Sequence, residues 1–325
     1  MTAPQIAPMT APQIAVLLPC YNEAVAIAGV VRDFRAALPA AAIYVYDNNS
    51  RDDTAAVARQ AGATVRRETR QGKGHVVRRM FADIEADLYV LADGDGTYDA
   101  ASAARLIALL VDEQLDMVVG VRIETAQAAY RPGHRFGNYW LTTLVCRIFG
   151  REVRDILSGY RVFSRRFVKS FPALATGFET ETEITVHALD LGLPVGEVET
   201  PYYARPEGSA SKLNTIRDGL RILRLIGYLA REERPLAFFS LIAALFAAAG
   251  LLLGTPVVLE FFRTGLVPRL PTAVLATGFV LLAFLSLVCG LIMETVTHGR
   301  REAKRLAYLR LAPVRRDACE TVGLA

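Results

Sequence analysis

Residues 236–259 carry no charged side chain, and residues 270–293 repeat that pattern after a short connection, 260–269. A helix of about 20 apolar residues spans the hydrocarbon core of a bilayer, and both runs exceed that length. Lipid offers no partner for backbone N–H and C=O groups, so such runs must be helices. Hiding both inside a soluble fold would take a far larger core than 325 residues supply. The spacing therefore predicts a two-helix transmembrane hairpin over 235–296. Arg231 and Arg234 precede the first run, and Arg300, Arg301, Lys304 and Arg305 follow the second. Basic flanks mark the cytoplasmic side, and two spans return the chain to the side it left. The expectation is an integral inner- or plasma-membrane protein, with the large N-terminal part and a basic tail, 297–325, both cytoplasmic. The composition agrees: 52% hydrophobic residues and a mean hydropathy of +0.28.

The N-terminal part reads differently. Over residues 13–121, apolar runs of strand length (14–18, 43–46, 63–65, 88–92 and 117–119) alternate with helical spacing. Ile27, Val31, Phe34 and Leu38 mark one helix face, and Val77, Met80, Phe81 and Ile84 another. Short buried strands alternating with helices predict an α/β fold whose mostly parallel sheet is covered on both faces. Ligands on such sheets sit at the carboxyl ends of the strands. Polar clusters fall there: Tyr21-Asn22-Glu23, Asp47, Asp93-Gly94-Asp95 and Arg122. Residues 213–230 put Leu213, Ile216, Leu220, Leu223 and Gly227 on one face and Arg217, Arg221 and Arg224 on another. That basic amphipathic pattern predicts an interfacial helix over 213–234. At the other end, MTAPQIA at 1–7 recurs at 9–15 with no charge and no long apolar run. Residues 1–10 read as a flexible leader that reflects one of two start sites, which puts the folded domain at 11–212.

The chemistry sits in ordered motifs. In Asp93-Gly94-Asp95, two carboxylates one residue apart can converge on a hard divalent cation, Mg2+ or Mn2+, which would bridge a diphosphate. Alone, D-x-D is common in surface loops. Here it follows Pro19-Cys20-Tyr21-Asn22-Glu23, the run Asp47-Asn48-Asn49-Ser50-Arg51-Asp52-Asp53-Thr54, and Gly72-Lys73-Gly74. Beyond it lie Gly120-Val121-Arg122, Asp155 with Ser158-Gly159-Tyr160-Arg161, and Arg205-x-x-Gly208-Ser209-x-Ser211-Lys212. In this order the sequence resembles family 2 glycosyltransferases, with their Rossmann-like A-type fold. The later motifs look like the branch acting on polyprenyl phosphates, which includes dolichyl-phosphate mannose synthases and bactoprenol glucosyltransferases. The likeness covers about residues 14–213, and the hairpin extends it.

The resemblance implies the roles. Pro19, Tyr21, Glu23 and Asp47 would hold the base and ribose of a nucleotide diphosphate sugar. Asp47 can accept from the ring N–H groups of uracil or guanine alike, so UDP and GDP donors stay open. Asp93 and Asp95 would hold the metal and ribose, while Lys73 and Arg122 would neutralise the diphosphate. Arg205, Ser211 and Lys212 would meet the phosphate of undecaprenyl or dolichyl phosphate. Asp155 is an acceptor-site candidate, and Asp95, Arg122, Asp155, Arg205 and Lys212 form the expected catalytic set. Some lipid-phosphate mannosyltransferases place a glutamine metal ligand where this chain has Thr97, a poorer ligand. The implied reaction is inverting transfer of a hexose, giving a lipid-phosphate sugar for cell-envelope glycan or glycoprotein synthesis. A lipid phosphate is already anionic and needs no general base. A sugar hydroxyl would need one, and Asp155, Glu181 and Glu183 are available. Glu179, Glu181 and Glu183 also read as a helix start, where acids suit the dipole.

Other classes fit less well. His75, His134, His187 and His298 lack ligand spacing, and no G-x-G-x-x-G follows a strand. Cys20, Cys146, Cys289 and Cys319 are scattered, which suits a reducing compartment and no disulfide framework. A net charge of +4 fits an anionic substrate or a membrane surface, and nothing points to nucleic acid. A processive polysaccharide synthase would carry Q-x-x-R-W, which the surroundings of Trp140 do not match. It would also need more spans, or a homo-oligomer, to enclose a polymer channel. A non-enzymatic membrane scaffold would tolerate loss of Asp93 and Asp95.

Overall fold

The computed structural model describes residues 12–124, 142, 143, 147, 153–177, 179–206, 224, 227, 228 and 231–314. The leader, Ser211, Lys212 and most of the amphipathic segment 213–230 lie outside them. The chain divides into two units: Met1–Leu223 with Lys304–Ala325, and Arg224–Ala303.

The first unit is built on β1 (Ile14–Cys20). Ile14, Val16 and Leu18 enter one apolar cluster, while Ala15 and Leu17 enter another on the opposite face. Strand side chains alternate with period two, so a strand apolar at every position must be covered on both sides. Around it stand α1 (Ile27–Ala37), β2 (Ala42–Asp47), α2 (Thr54–Gln60), β3 (Thr64–Arg67), α3 (Lys73–Asp83), β4 (Leu88–Leu91), α4 (Ser102–Asp112) and β5 (Met117–Glu124). Each run read as a strand is one. After these come β6 (Arg161–Ser164), α5 (Arg165–Ser170), α6 (Thr180–Leu191) and β7 (Val195–Tyr202). The sheet order is β3-β2-β1-β4-β6-β5-β7. All its pairings are parallel except those of β6, which runs antiparallel to β4 and β5.

Helix α1 buries Ile27, Val30, Val31 and Phe34 at helical spacing. Phe34 meets Tyr160 edge-on at 6.3 Å. Truncating Phe34 to Ala would cost about 3–5 kcal/mol, transfer and cavity terms together. Helix α6 starts where the acidic residues predict, with Glu181 and Glu183 in its first turn. Both acids nonetheless face inward, at 4% and 6% exposure. The C-terminal stretch that belongs to this unit is anchored by polar contacts. The Tyr308 hydroxyl donates to the buried Asp116 carboxylate at 2.8 Å, and the Arg166 guanidinium lies 4.7 Å from the Tyr308 ring centre.

The second unit holds α7 (Pro235–Thr264) and most of α8 (Leu270–Leu309). Both are long and apolar enough to cross a membrane, and only 11% of each apolar window is buried. Helices with nearly all their apolar surface outward suit lipid rather than a core. Small residues let them approach: a Cβ on Gly250 would meet Val280 Cγ2 at 2.9 Å, and one on Gly290 would meet Phe239 Cβ at 3.0 Å. Pro235 opens α7, where its missing N–H costs nothing. The next N–H, of Leu236, donates to Glu294 Oε2 at 3.3 Å, which explains an acid so close to an apolar run. Helix α8 continues to Leu309, so residues 297–309, read from sequence as the start of a tail, are helical.

Candidate active site

The site forms where β1, β2 and β4 end together. The loop after β1 and the loop after β2 brace each other. Asn22 N–H donates to Ser50 Oγ at 2.9 Å, Arg51 N–H to Asn22 Oδ1 at 2.7 Å, and Glu23 N–H to Thr54 Oγ1 at 2.8 Å. Asn22 has a φ of 54°, a left-handed conformation that asparagine tolerates. This cross-bracing sets Pro19, Tyr21 and Glu23 beside Asp47, whose Oδ1 accepts from Ser50 N–H at 3.2 Å. Asn48 carries the brace onward. Its Oδ1 accepts from Gly72 N–H at 2.8 Å, and its Nδ2 donates to the Glu68 and Arg70 carbonyls at 3.0 and 2.7 Å.

Gly72 and Gly74 have a steric reason. A Cβ on Gly72 would lie 2.1 Å from the Thr176 carbonyl oxygen, and one on Gly74 would lie 2.3 Å from that of Ala175. Gly72 also has a φ of 135°. These glycines seat the start of α3 against the backbone that leads into α6. Lys73 between them reaches two carboxylates: Asp93, and Glu181 of α6 at 2.5 Å. Burial works against its charge, but Asp93 and Glu181 outweigh that and hold the ammonium above its ordinary pKa. Gly159 closes over the pair: a Cβ there would come 2.9 Å from Asp93 Oδ2 and 3.1 Å from Lys73 Nζ.

Asp95 is 4% exposed. Its Oδ1 accepts from Thr97 N–H at 3.1 Å and Thr97 Oγ1 at 2.6 Å, so the Thr97 hydroxyl is turned onto this carboxylate. Its Oδ2 lies 2.6 Å from Arg205 Nη2, and Arg205 Nη1 lies 3.8 Å from Glu23 Oε1. Burial and the neighbouring Asp93 raise the Asp95 pKa, while Arg205 opposes them. Further round, Arg122 grips Asp155 through two bonds, Nε to Oδ2 at 2.7 Å and Nη2 to Oδ1 at 2.9 Å. Its guanidinium sits 5.6 Å from the Tyr202 ring centre.

Thus Pro19, Tyr21, Glu23, Asp47, Lys73, Asp93, Asp95, Arg122, Asp155 and Arg205 all lie at this end of the sheet or in loops leading to it, while Ser211 and Lys212 are outside the described residues. Sequence reasoning did not assign Asn48, Tyr98 or Arg161. Tyr98 accepts from Gly159 N–H at 2.8 Å. Arg161 is fully buried and donates to the Ser158 and Ile156 carbonyls at 2.9 and 2.8 Å and to Thr185 Oγ1 at 2.8 Å. Burial lowers its pKa to about 10. Its place at the head of β6, directly after Ser158-Gly159-Tyr160, was the one available signal.

Among the described residues no group of three or more His, Cys, Asp or Glu side chains could hold a metal. Asp93 and Asp95 remain as a pair of hard oxygen donors, and Arg205 already places a cation on Asp95. That donor set fits Mg2+ or Mn2+ if a diphosphate completes the shell.

The family model described as Glycosyl transferase family 2 matches residues 15–171. The chain is 34% identical to Glycosyltransferase AglJ of Haloferax volcanii, over 91% of this chain and 98% of that protein. It is 28% identical to a dolichyl-phosphate hexose transferase of the same organism, over 68% of this chain and 95% of the relative. Among solved structures it resembles glucosyl-3-phosphoglycerate synthase from Mycobacterium tuberculosis in complex with Mn2+ and UDP-glucose. The TM-score is 0.54 and the identity 23%, over 66% of this chain and 79% of that one, a likeness of fold.

Proposed function

The chain belongs to glycosyl transferase family 2 and is a glycosyltransferase, and we propose that it transfers a hexose, with inversion, from a nucleotide diphosphate sugar to a polyprenyl phosphate. The observation that carries this reading is the Arg205–Asp95 pair. The last described residues before segment 207–223 put a guanidinium on a D-x-D carboxylate. A phosphate bound by Arg205 would therefore arrive next to the donor. The two apolar helices and the likeness to a dolichyl-phosphate hexose transferase support a lipid as the carrier of that phosphate.

In this reading Pro19, Tyr21, Glu23 and Asp47 hold the nucleoside. Asp93 and Asp95 would hold Mg2+ or Mn2+, which supplies charge neutralisation to the departing nucleoside diphosphate. The lipid phosphate oxygen attacks the anomeric carbon from the face opposite the leaving group. The new C–O bond forms as the bond to the diphosphate breaks, and the electron pair leaves on the diphosphate. No proton moves, because the attacking oxygen is already ionised. Arg205, with Ser211 and Lys212, orients the acceptor, and Arg122 is held in place by Asp155. The proposed organisation is a donor-binding domain over 11–212, an interfacial helix over 213–234, a hairpin over 235–296 and cytoplasmic flanks.

Incubating the purified full chain with labelled UDP- and GDP-hexoses, Mn2+ and undecaprenyl or dolichyl phosphate tests this. Label should enter an organic-extractable, acid-labile lipid, and Asp95→Asn should abolish it. Label reaching only water-soluble products, phosphoglycerate conjugates or polymer included, would overturn the lipid acceptor.

A further inference from the structure

Glu181 is a buried carboxylate that the proposed reaction does not use. It lies in the first turn of α6 with its side chain 6% exposed, and it forms an ion pair with Lys73. Lys73 is equally hidden, at 9%, whereas Asp93 on its other side is 30% exposed. The three groups therefore form a line from interior to site: Glu181, then Lys73, then Asp93. Two glycines make that line possible, since any side chain at Gly72 or Gly74 would strike the Thr176 or Ala175 carbonyl and push α3 off the entry to α6. Gly159 covers the line from the side, held there by the Tyr98 hydroxyl. One turn along α6, Thr185 accepts from Arg161 and so holds the strand that follows Gly159. One face of α6 thus supports both the line and its cover.

We propose that Glu181 is a positioning residue for the transfer reaction: it fixes Lys73 against Asp93 and thereby sets the place and charge of the first D-x-D carboxylate. The inference rests on the reading that Asp93 and Asp95 form the metal and donor site. It assigns Lys73 to Asp93 rather than to the donor diphosphate. It also removes Glu181 from the candidate general bases, because its carboxylate is 2.5 Å from an ammonium that outcompetes any acceptor hydroxyl for it. The charge consequence is specific. With Glu181 in place, Lys73 is shared between two carboxylates and Asp93 keeps part of its attraction for a divalent cation. With Glu181 neutral, Lys73 falls wholly to Asp93 and repels that cation.

The test is Mn2+ affinity of the full chain in detergent, read as free Mn2+ by electron paramagnetic resonance, with Mn2+ alone and with UDP or GDP added. Glu181→Gln should weaken Mn2+ binding about ten-fold. Adding Lys73→Gln to that variant should bring affinity back to within about three-fold of the parent, since the unshared positive charge is gone. Lys73→Gln alone should bind Mn2+ about ten-fold more tightly, which keeps the proposal testable if Glu181→Gln does not fold. Unchanged Mn2+ affinity in Glu181→Gln with a large loss of kcat, as a general base would give, overturns the proposal. So does a double variant no better than Glu181→Gln. Transfer to polyprenyl phosphate by the parent chain is a separate readout. Label in lipid with unmoved Mn2+ affinities rejects this inference alone, and the predicted affinities without label in lipid reject the acceptor alone.

Discussion

Gly94, between the two D-x-D carboxylates, lies against the end of β1, and that contact can be tested by paired substitution. A Cβ at Gly94 would sit 2.3 Å from Cys20 Sγ, well inside any real carbon–sulfur contact. Its next neighbours are Ile27 Cδ1 at 3.4 Å and the Pro19 carbonyl at 3.6 Å, both ordinary contacts. Gly94 has no left-handed φ, so the whole penalty of Gly94→Ala is steric and comes from one sulfur atom. Overpacking of this kind costs about 1–3 kcal/mol. Cys20 is 3% exposed, and Cys20→Ala removes one small apolar group at about 1 kcal/mol. Independent effects would add to about 3 kcal/mol. The geometry predicts instead that the double variant costs about 1 kcal/mol, because the methyl group takes the space the sulfur leaves. At about 2–4 °C per kcal/mol for a domain of this size, Gly94→Ala lowers Tm by roughly 4–8 °C, and the double variant by half of that or less. Transfer activity falls with Gly94→Ala, as Asp93 and Asp95 are displaced, and returns in the double variant. Thermal unfolding in detergent and transfer kinetics on all four proteins provide the cycle. A double variant as unstable as the sum of its parts refutes the contact.

Three further outcomes follow from other contacts. Tyr308→Phe removes a hydrogen bond to the buried Asp116 carboxylate and should destabilise by about 1.5–3 kcal/mol in thermal unfolding, with donor KM unchanged. His187 is buried against Phe167 and Phe171 near Ser170, and burial, then Lys304, depresses its pKa to about 3. Its neutral form is therefore the folded form. The associated stability is complete above the unfolded-state value near 6.5 and drains away as pH falls towards 3, by about 2 kcal/mol at pH 5. A His187→Gln variant should show a flatter fall in Tm between pH 7 and 5, and an unchanged slope argues against this origin. Arg205→Gln should lose transfer at least 100-fold while binding Mn2+ more tightly without nucleotide, because the guanidinium no longer competes for Asp95. A weaker Mn2+ affinity would contradict that competition.

What could be read from sequence was local. β1, β2, β4 and β5 announce themselves because their apolar runs are continuous, and the polar residues just beyond them had to lie at the sheet's carboxyl edge. β6 and β7 were missed for opposite reasons. Arg161–Ser164 is only four residues and begins with an arginine, while Val195–Tyr202 mixes Glu197, Glu199 and Pro201 into a half-buried strand. The length of α8 was within reach: residues 294–309 hold no proline, and the first one after the apolar run is Pro313. The ion pairs were not. Lys73, Arg122 and Arg205 each read as a cation awaiting a phosphate, because a sequence shows charges but not which of them meet. Their carboxylate partners come from distant segments, brought close by packing that depends on the missing side chains of Gly72, Gly74 and Gly159.

On the proposed function, those pairings change how the site would meet a donor. Lys73 is shared by Asp93 and Glu181, Arg122 is gripped by Asp155, and Arg205 lies on Asp95 near Glu23. Asp47 adds a further buried carboxylate, and Arg161 adds a buried guanidinium that bonds to carbonyls and a hydroxyl. The acids at this end of the sheet thus outnumber the bases, and burial already raises the pKa of Asp95. A nucleoside diphosphate brought alone into such a field would add negative charge to negative charge. Either the internal pairs must open and surrender their cations, or the diphosphate must carry a cation with it. Lys73 is fixed from behind by Glu181 with its side chain 9% exposed and the Arg122 side chain is 13% exposed, whereas the Arg205 side chain is about a quarter exposed. In the proposed reaction the pair expected to yield is therefore Arg205–Asp95. On the proposed function, its opening would free one carboxylate for a divalent ion and one guanidinium for a phosphate together, which would tie donor loading to readiness for the acceptor.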